Sequence, residues 1–206
     1  NATGYDLRQL FIGAEGTLGF VVEATMRLER APKNLTAMVL GTPDFDSIMP
    51  VLHAFQDKLD LTAFEFFSDK AMAKIMGRGD VPAPFETECP FYALLEFEAI
   101  SEDIANDALA TFEHCVEQGW VLDGVMSQSQ QQLENLWKLR EFISETISHW
   151  TPYKNDISVT VGKVPAFLHD IDAIVGEHYP DFEIVWFGHI GDGNLHLNIL
   201  KPENLS

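Results

Sequence analysis

The tightest constraint on this chain lies at residues 187–198, which read Phe187-Gly188-His189-Ile190-Gly191-Asp192-Gly193-Asn194-Leu195-His196-Leu197-Asn198. Asp-Gly is a favoured central pair for a two-residue type I′ turn, and polar and apolar residues alternate after it. A β-hairpin centred on Asp192-Gly193 follows. It sets Gly191 opposite Asn194, Ile190 opposite Leu195 and His189 opposite His196. Side chains directly opposite on one face lie about 5 Å apart. Both imidazoles can then reach a single ion. Asn194 and Asn198 share the histidine face, while Leu195, Leu197 and Ile199 form the core face.

Two histidines paired across a tight turn, with asparagines beside them, suit a divalent cation, Zn²⁺ or a similar ion. The alternative is a dry structural pair. Two ligands do not complete a site. A third, a carboxylate, must come from elsewhere, and no partner for it stands out in the sequence.

The rest of the chain alternates strand-like and helix-like segments. Strands are expected at residues 36–41, 62–67, 91–98, 120–126, 157–161, 182–189 and 194–200. Helical periodicity runs through residues 45–58, 68–76, 101–118, 130–150 and 164–178. Ser68 or Asp69 and Ser101 are candidate N-caps, Gly77 a stop, and Pro165 a first-turn proline. Residues 77–90 hold three prolines and two glycines and read as a loop. This predicts an α+β domain with helices on one face of a largely antiparallel sheet. Pro32 and Asn34 punctuate the chain near residues 30–34, so a boundary is placed there: residues 1–31, then residues 32–206. The first part carries Gly4, Gly13, Gly16 and Gly19 and ends in an expected strand at residues 20–28.

Charge narrows the partners. The 206 residues include 13 basic and 32 acidic side chains, a net −19. Nucleic acid and anionic lipid would both be repelled. No apolar run approaches the roughly 20 residues of a membrane span, and no basic segment precedes an apolar one as in a secretory leader. The cytoplasm is expected, with the mitochondrial matrix as the alternative. Cys89 and Cys115 have no metal-type spacing and read as buried free thiols. Arg78-Gly79-Asp80 and Asn34-Leu35-Thr36 match an integrin-binding tripeptide and a glycosylation sequon, and are read as chance matches.

Two further features carry charge. Arg140 and Ser144 are one helical turn apart, hence neighbours, and the planar guanidinium suits a carboxylate. Lys154 enters the following strand. Taken alone, both cations also read as ordinary surface groups.

Together these motifs resemble a known family. Asn1-Ala2-Thr3-Gly4-Tyr5-Asp6-Leu7 and Leu10-Phe11-Ile12-Gly13-Ala14-Glu15-Gly16-Thr17-Leu18-Gly19 resemble the end of the FAD-binding domain in FAD-linked oxidases of the vanillyl-alcohol-oxidase superfamily. The hairpin at residues 188–198 resembles the signature of their C-terminal substrate domain, in the D-lactate, glycolate and D-2-hydroxyglutarate dehydrogenase branch. The resemblance implies a ferredoxin-like substrate (cap) domain preceded by a short remnant of the FAD-binding domain. Within the branch, Arg140, Ser144, Lys154 and residues 154–159 look most like D-2-hydroxyglutarate dehydrogenases, although the position of Ser144 is commonly Thr there.

The resemblance also implies roles. Arg140 and Ser144 hold a substrate carboxylate, Lys154 the acidic end, and Asn198 contacts the substrate near a metal on His189 and His196. Glu15, Gly16 and Gly19 approach FAD. A 2-hydroxy acid is oxidised by hydride transfer to the flavin, and an acceptor protein or a quinone takes the electrons. The branch alternatives are a D-lactate dehydrogenase or a glycolate oxidase subunit. A non-catalytic binding module is the alternative of another class, and a metal-dependent hydrolase lacks a nucleophile. A homodimer is also admitted. Family members carry most of the FAD domain before the Asn1 motif. They carry a Glu-His-Gly segment after the hairpin, which supplies the carboxylate ligand and the general base. The chain is therefore read as an excised piece, with FAD absent, the metal weakly held and no activity of its own.

Overall fold

The computed structural model describes residues 4–202. Asn1-Ala2-Thr3 of the first motif thus lies outside the described residues. The chain divides into two units, residues 1–31 and 32–206.

The described part of the first unit is almost wholly exposed. A short 3-10 turn at Leu7–Leu10 is capped by Asp6, which accepts from the Arg8 backbone N–H. The Arg8 guanidinium also donates to both Asp6 oxygens, at 2.7 and 2.6 Å, and holds that carboxyl down at about 2. The strand expected at residues 20–28 does not form. A strand needs a ladder partner, and among the described residues none pairs with this segment. Phe20, Val22 and Leu28 are left exposed.

The second unit runs β1 (Leu35–Thr42), α1 (Ile48–Gln56), β2 (Leu61–Ser68), α2 (Asp69–Met76), β3 (Phe91–Glu98), α3 (Glu102–Glu117), β4 (Asp123–Met126), α4 (Gln130–Glu141), α5 (Ile143–Thr146), β5 (Tyr153–Ser158), α6 (Val164–His178), β6 (Glu183–His189) and β7 (Asn194–Leu200). Local chemistry sets many of these ends. Ser68, Ser101 and Ser129 each accept a helix N–H through the side chain, satisfying one orphan donor apiece. The seven strands form one sheet in the order β4-β1-β3-β2-β6-β7-β5. Every ladder in it is antiparallel. Strands β1 to β4 with α1 and α3 make the ferredoxin-like βαββαβ unit. Pairing of β2 with β6 continues the sheet into the last three strands.

The helices cover both faces of that sheet, not one as expected. On one side Met38, Leu40, Ala93, Leu95 and Phe66 pack with α1, α3 and α6. On the other, Ala37, Val39, Leu94 and Phe67 pack with α2, α4 and α5. The reason is visible in β1, where Ala37, Met38, Val39 and Leu40 are all buried. A continuous apolar run, rather than an alternating one, marks a strand covered on both faces.

The helix expected at residues 130–150 is interrupted at Phe142, between α4 and α5, and closes in a 3-10 turn at Ile147–Trp150. The Thr146 hydroxyl donates to the Phe142 carbonyl at 2.7 Å, a back-bond that bends helices. The strand expected at residues 157–161 starts earlier. Ladder pairing with β7 draws in Tyr153, Lys154 and Asp156.

The hairpin register also differs. Its connection is four residues long, with a 3-10 turn at Ile190–Asp192 and Gly193 in the left-handed region at φ 75°. His189 therefore faces Asn194, and His196 faces Phe187. A type I′ turn needs positive φ at both central residues, and here Asp192 stays in the 3-10 turn while Ile190 is buried in the core. The partner of each residue moves by two positions, from His189 to Phe187 for His196, so the parity of the face is kept. His189 and His196 remain on one face as diagonal neighbours.

Candidate functional site

Six side chains singled out in the sequence meet at one cavity of about 420 Å³. Arg140 and Ser144 reach it from α4 and α5, Lys154 from β5, His189 from the end of β6, and His196 and Asn198 from β7. The interruption at Phe142 does not separate Arg140 from Ser144. Lys154 stands opposite Asn198 in the β5–β7 ladder, and its Nζ donates to the Ser144 hydroxyl at 3.2 Å. Asn198 is buried, and its amide donates to the His196 carbonyl at 3.3 Å.

Glu65 and Asp156 were not anticipated. Glu65 sits on β2, 5% exposed, between Phe64 and Phe66. One of its oxygens accepts from Arg140 Nε at 2.9 Å and the other lies 2.6 Å from His189 Nδ1. Asp156 Oδ1 lies 2.6 Å from His196 Nδ1. A signal for Glu65 existed: an acid within an apolar strand run must find a buried partner. Asp156, an exposed residue of an edge strand, carries no such mark.

The electrostatics follow from burial. Arg140 is 8% exposed, and desolvation pushes its guanidinium below the ordinary arginine value, opposed by the charge of Glu65. An arginine stays protonated in proteins nonetheless. Its guanidinium lies 4.6 Å from the centre of the Phe187 ring. Because Nε is taken by Glu65, the Nη edge is left for a ligand. The two imidazoles meet edge to face, ring centres 5.3 Å apart. Each Nδ1 is engaged by a carboxylate, the arrangement that presents Nε2 as a ligand atom.

The residues fit a cation only in part. Two oriented imidazoles are present, but no group of three or more His, Cys, Asp or Glu side chains is placed to hold a metal among the described residues. Glu15, Gly16 and Gly19 belong to the first unit. A Cβ at Gly16 would meet nothing within 4 Å, and one at Gly19 only the Phe11 ring at 3.6 Å. Their positive φ angles account for them as turn residues.

Comparison with known proteins decides the family. Residues 31–205 match the model of the FAD linked oxidases, C-terminal domain. The chain belongs to the FAD-linked oxidases. Among curated relatives of this family, a D-2-hydroxyglutarate dehydrogenase of Stutzerimonas stutzeri is 91% identical over 98% of this chain and 44% of its own length. One from Xanthomonas citri pv. viticola is 52% identical over 100% of this chain and 43% of its own. The chain thus spans less than half the length of these FAD-linked oxidase relatives. A solved structure of alkyldihydroxyacetonephosphate synthase aligns with a TM-score of 0.63 at 14% identity, over 99% of this chain and 42% of that one. At that identity the likeness concerns the fold. No helix among the described residues is long and apolar enough to cross a membrane.

Proposed function

We propose that this chain is the substrate-binding part of an FAD-dependent D-2-hydroxy-acid dehydrogenase acting on a D-2-hydroxyglutarate-like dicarboxylate. Residues 1–31 would be the end of the FAD-binding domain, with Glu15, Gly16 and Gly19 near the flavin, and residues 32–206 the substrate domain. The overall reaction is oxidation of the 2-hydroxy acid to a 2-oxo acid, with FAD as hydride acceptor and a protein or quinone downstream.

One observation carries the reading: two cations from different elements, Arg140 and Lys154, line the same cavity as His189, His196 and Asn198. A dicarboxylate has two anionic ends and a hydroxyl between them. The Nη edge of Arg140 suits a bidentate carboxylate, while Lys154 and Ser144 offer a second anchoring point. Both anchors sit in a chain of net charge −19, so attraction for an anion is local rather than global. His189 and His196 would hold a divalent cation. Such an ion lowers the pKa of a bound hydroxyl. The relatives' names support the substrate class.

The test is reduction of an artificial electron-accepting dye by the full-length enzyme, with D-2-hydroxyglutarate and D-lactate compared. Preference for the dicarboxylate, reduced at least tenfold in Lys154→Ala and Arg140→Ala, is expected. Preference for D-lactate in the unaltered enzyme would reject the dicarboxylate reading.

A further inference from the structure

We propose that Glu65 is a positioning residue: one buried carboxylate fixes both the Nδ1–H tautomer of His189 and the orientation of Arg140. The inference rests on the reading of the cavity given above and extends it to a residue outside the family motifs. Glu65 is 5% exposed and both its oxygens are in use, Oε2 on Arg140 Nε at 2.9 Å and Oε1 on His189 Nδ1 at 2.6 Å. A carboxylate only accepts hydrogen bonds. His189 must therefore donate from Nδ1, so that Nε2 is the ring nitrogen turned away from the carboxylate. The same carboxylate holds Arg140 by its inner nitrogen and turns the Nη edge outward. One group thus sets the anion reader and one of the two imidazole ligands in a common frame. The partner of His196 differs. The Asp156 side chain is 80% exposed, so water competes for that contact and its hold is weaker.

Glu65→Gln is nearly isosteric and separates the two tasks. Its carbonyl oxygen still accepts from Arg140 Nε, but its amide nitrogen then faces His189 and can only donate. Nδ1 must accept, and the proton moves to Nε2. The experiment is ¹⁵N-histidine NMR of the full-length protein without added metal or substrate, which reads the tautomer directly. The expected result is an Nδ1–H tautomer in the unaltered protein, an Nε2–H tautomer in Glu65→Gln, and no change at His189 in Asp156→Asn. Zn²⁺ titration of the same proteins should show affinity weakened about 10–100-fold in Glu65→Gln. Should that variant fail to fold, Glu65→Leu with Arg140→Met removes the buried pair together, and His189 should then populate both tautomers. An unchanged Nδ1–H tautomer in either folded variant overturns the proposal. The tautomer readout needs no turnover, so a failure of the substrate reading would appear in the dye assay alone.

Discussion

Arg140 and Glu65 form a buried ion pair, 8% and 5% exposed, with Nε and Oε2 2.9 Å apart. Removing one partner strands a charge in the interior, whereas removing both need not. Arg140→Ala should destabilise the domain by about 3–5 kcal/mol, and the Glu65→Leu/Arg140→Met double variant by far less. Urea denaturation of the two checks this, and equal losses would contradict it. The thiols behave differently. Cys115 is fully buried, and burial alone pushes it up to about 11. In the unfolded chain it ionises nearer 9. Between these values the folded state holds a proton that the unfolded state releases, so stability must fall as pH rises from about 9 to about 11. Denaturation midpoints at pH 8 and pH 10.5 should diverge less in Cys115→Ala than in the unaltered chain. Native Cys115 should also resist alkylation at neutral pH until the domain unfolds.

At the scale of elements, the β6–β7 hairpin is held by what its glycines avoid. A Cβ on Gly188 would lie 2.5 Å from the Asn194 carbonyl oxygen. One on Gly193 would collide with the Val159 carbonyl oxygen, and this residue also sits at φ 75°. The Gly193 carbonyl accepts from Val159 N–H at 3.1 Å, tying the turn to the segment after β5. Gly193→Ala therefore meets strain and a clash together and should cost about 1–3 kcal/mol or more. A thermal shift of several degrees, with altered amide signals at Val159 and His189, is the expected measurement. Ser129→Ala, by contrast, removes only the cap at the start of α4 and should cost about 1 kcal/mol. The cavity lies at the extension of the sheet rather than in its ferredoxin-like half, because β6, β7 and β5 carry four of its six anticipated residues.

For the whole molecule, all buried residues of both core clusters lie in the second unit, from Ala37 to Leu200. Two covered faces also explain why α2, α4 and α5 are needed. Without them Val39, Leu94 and Phe67, all fully buried, would face water.

What could be read from chain order alone was whatever depends on neighbours. Helix α6 runs over Val164–His178 as periodicity and Pro165 indicate, and β3 and β7 begin and end where expected. The Ser68 and Ser101 caps are local too. The face shared by His189, His196 and Asn198 was legible because strand parity survives a change of turn length. Arg140 and Ser144 line one cavity because one helical turn is a short-range distance. Tertiary structure alone decided the rest. The exact hairpin register depends on burial of Ile190 and on Val159, 34 residues before Gly193. The second helical layer depends on which strands end up inside the sheet. Glu65 lies 75 residues from Arg140 and 124 from His189. Only folding can place a partner across such a separation, and with it the buried charge that organises the cavity.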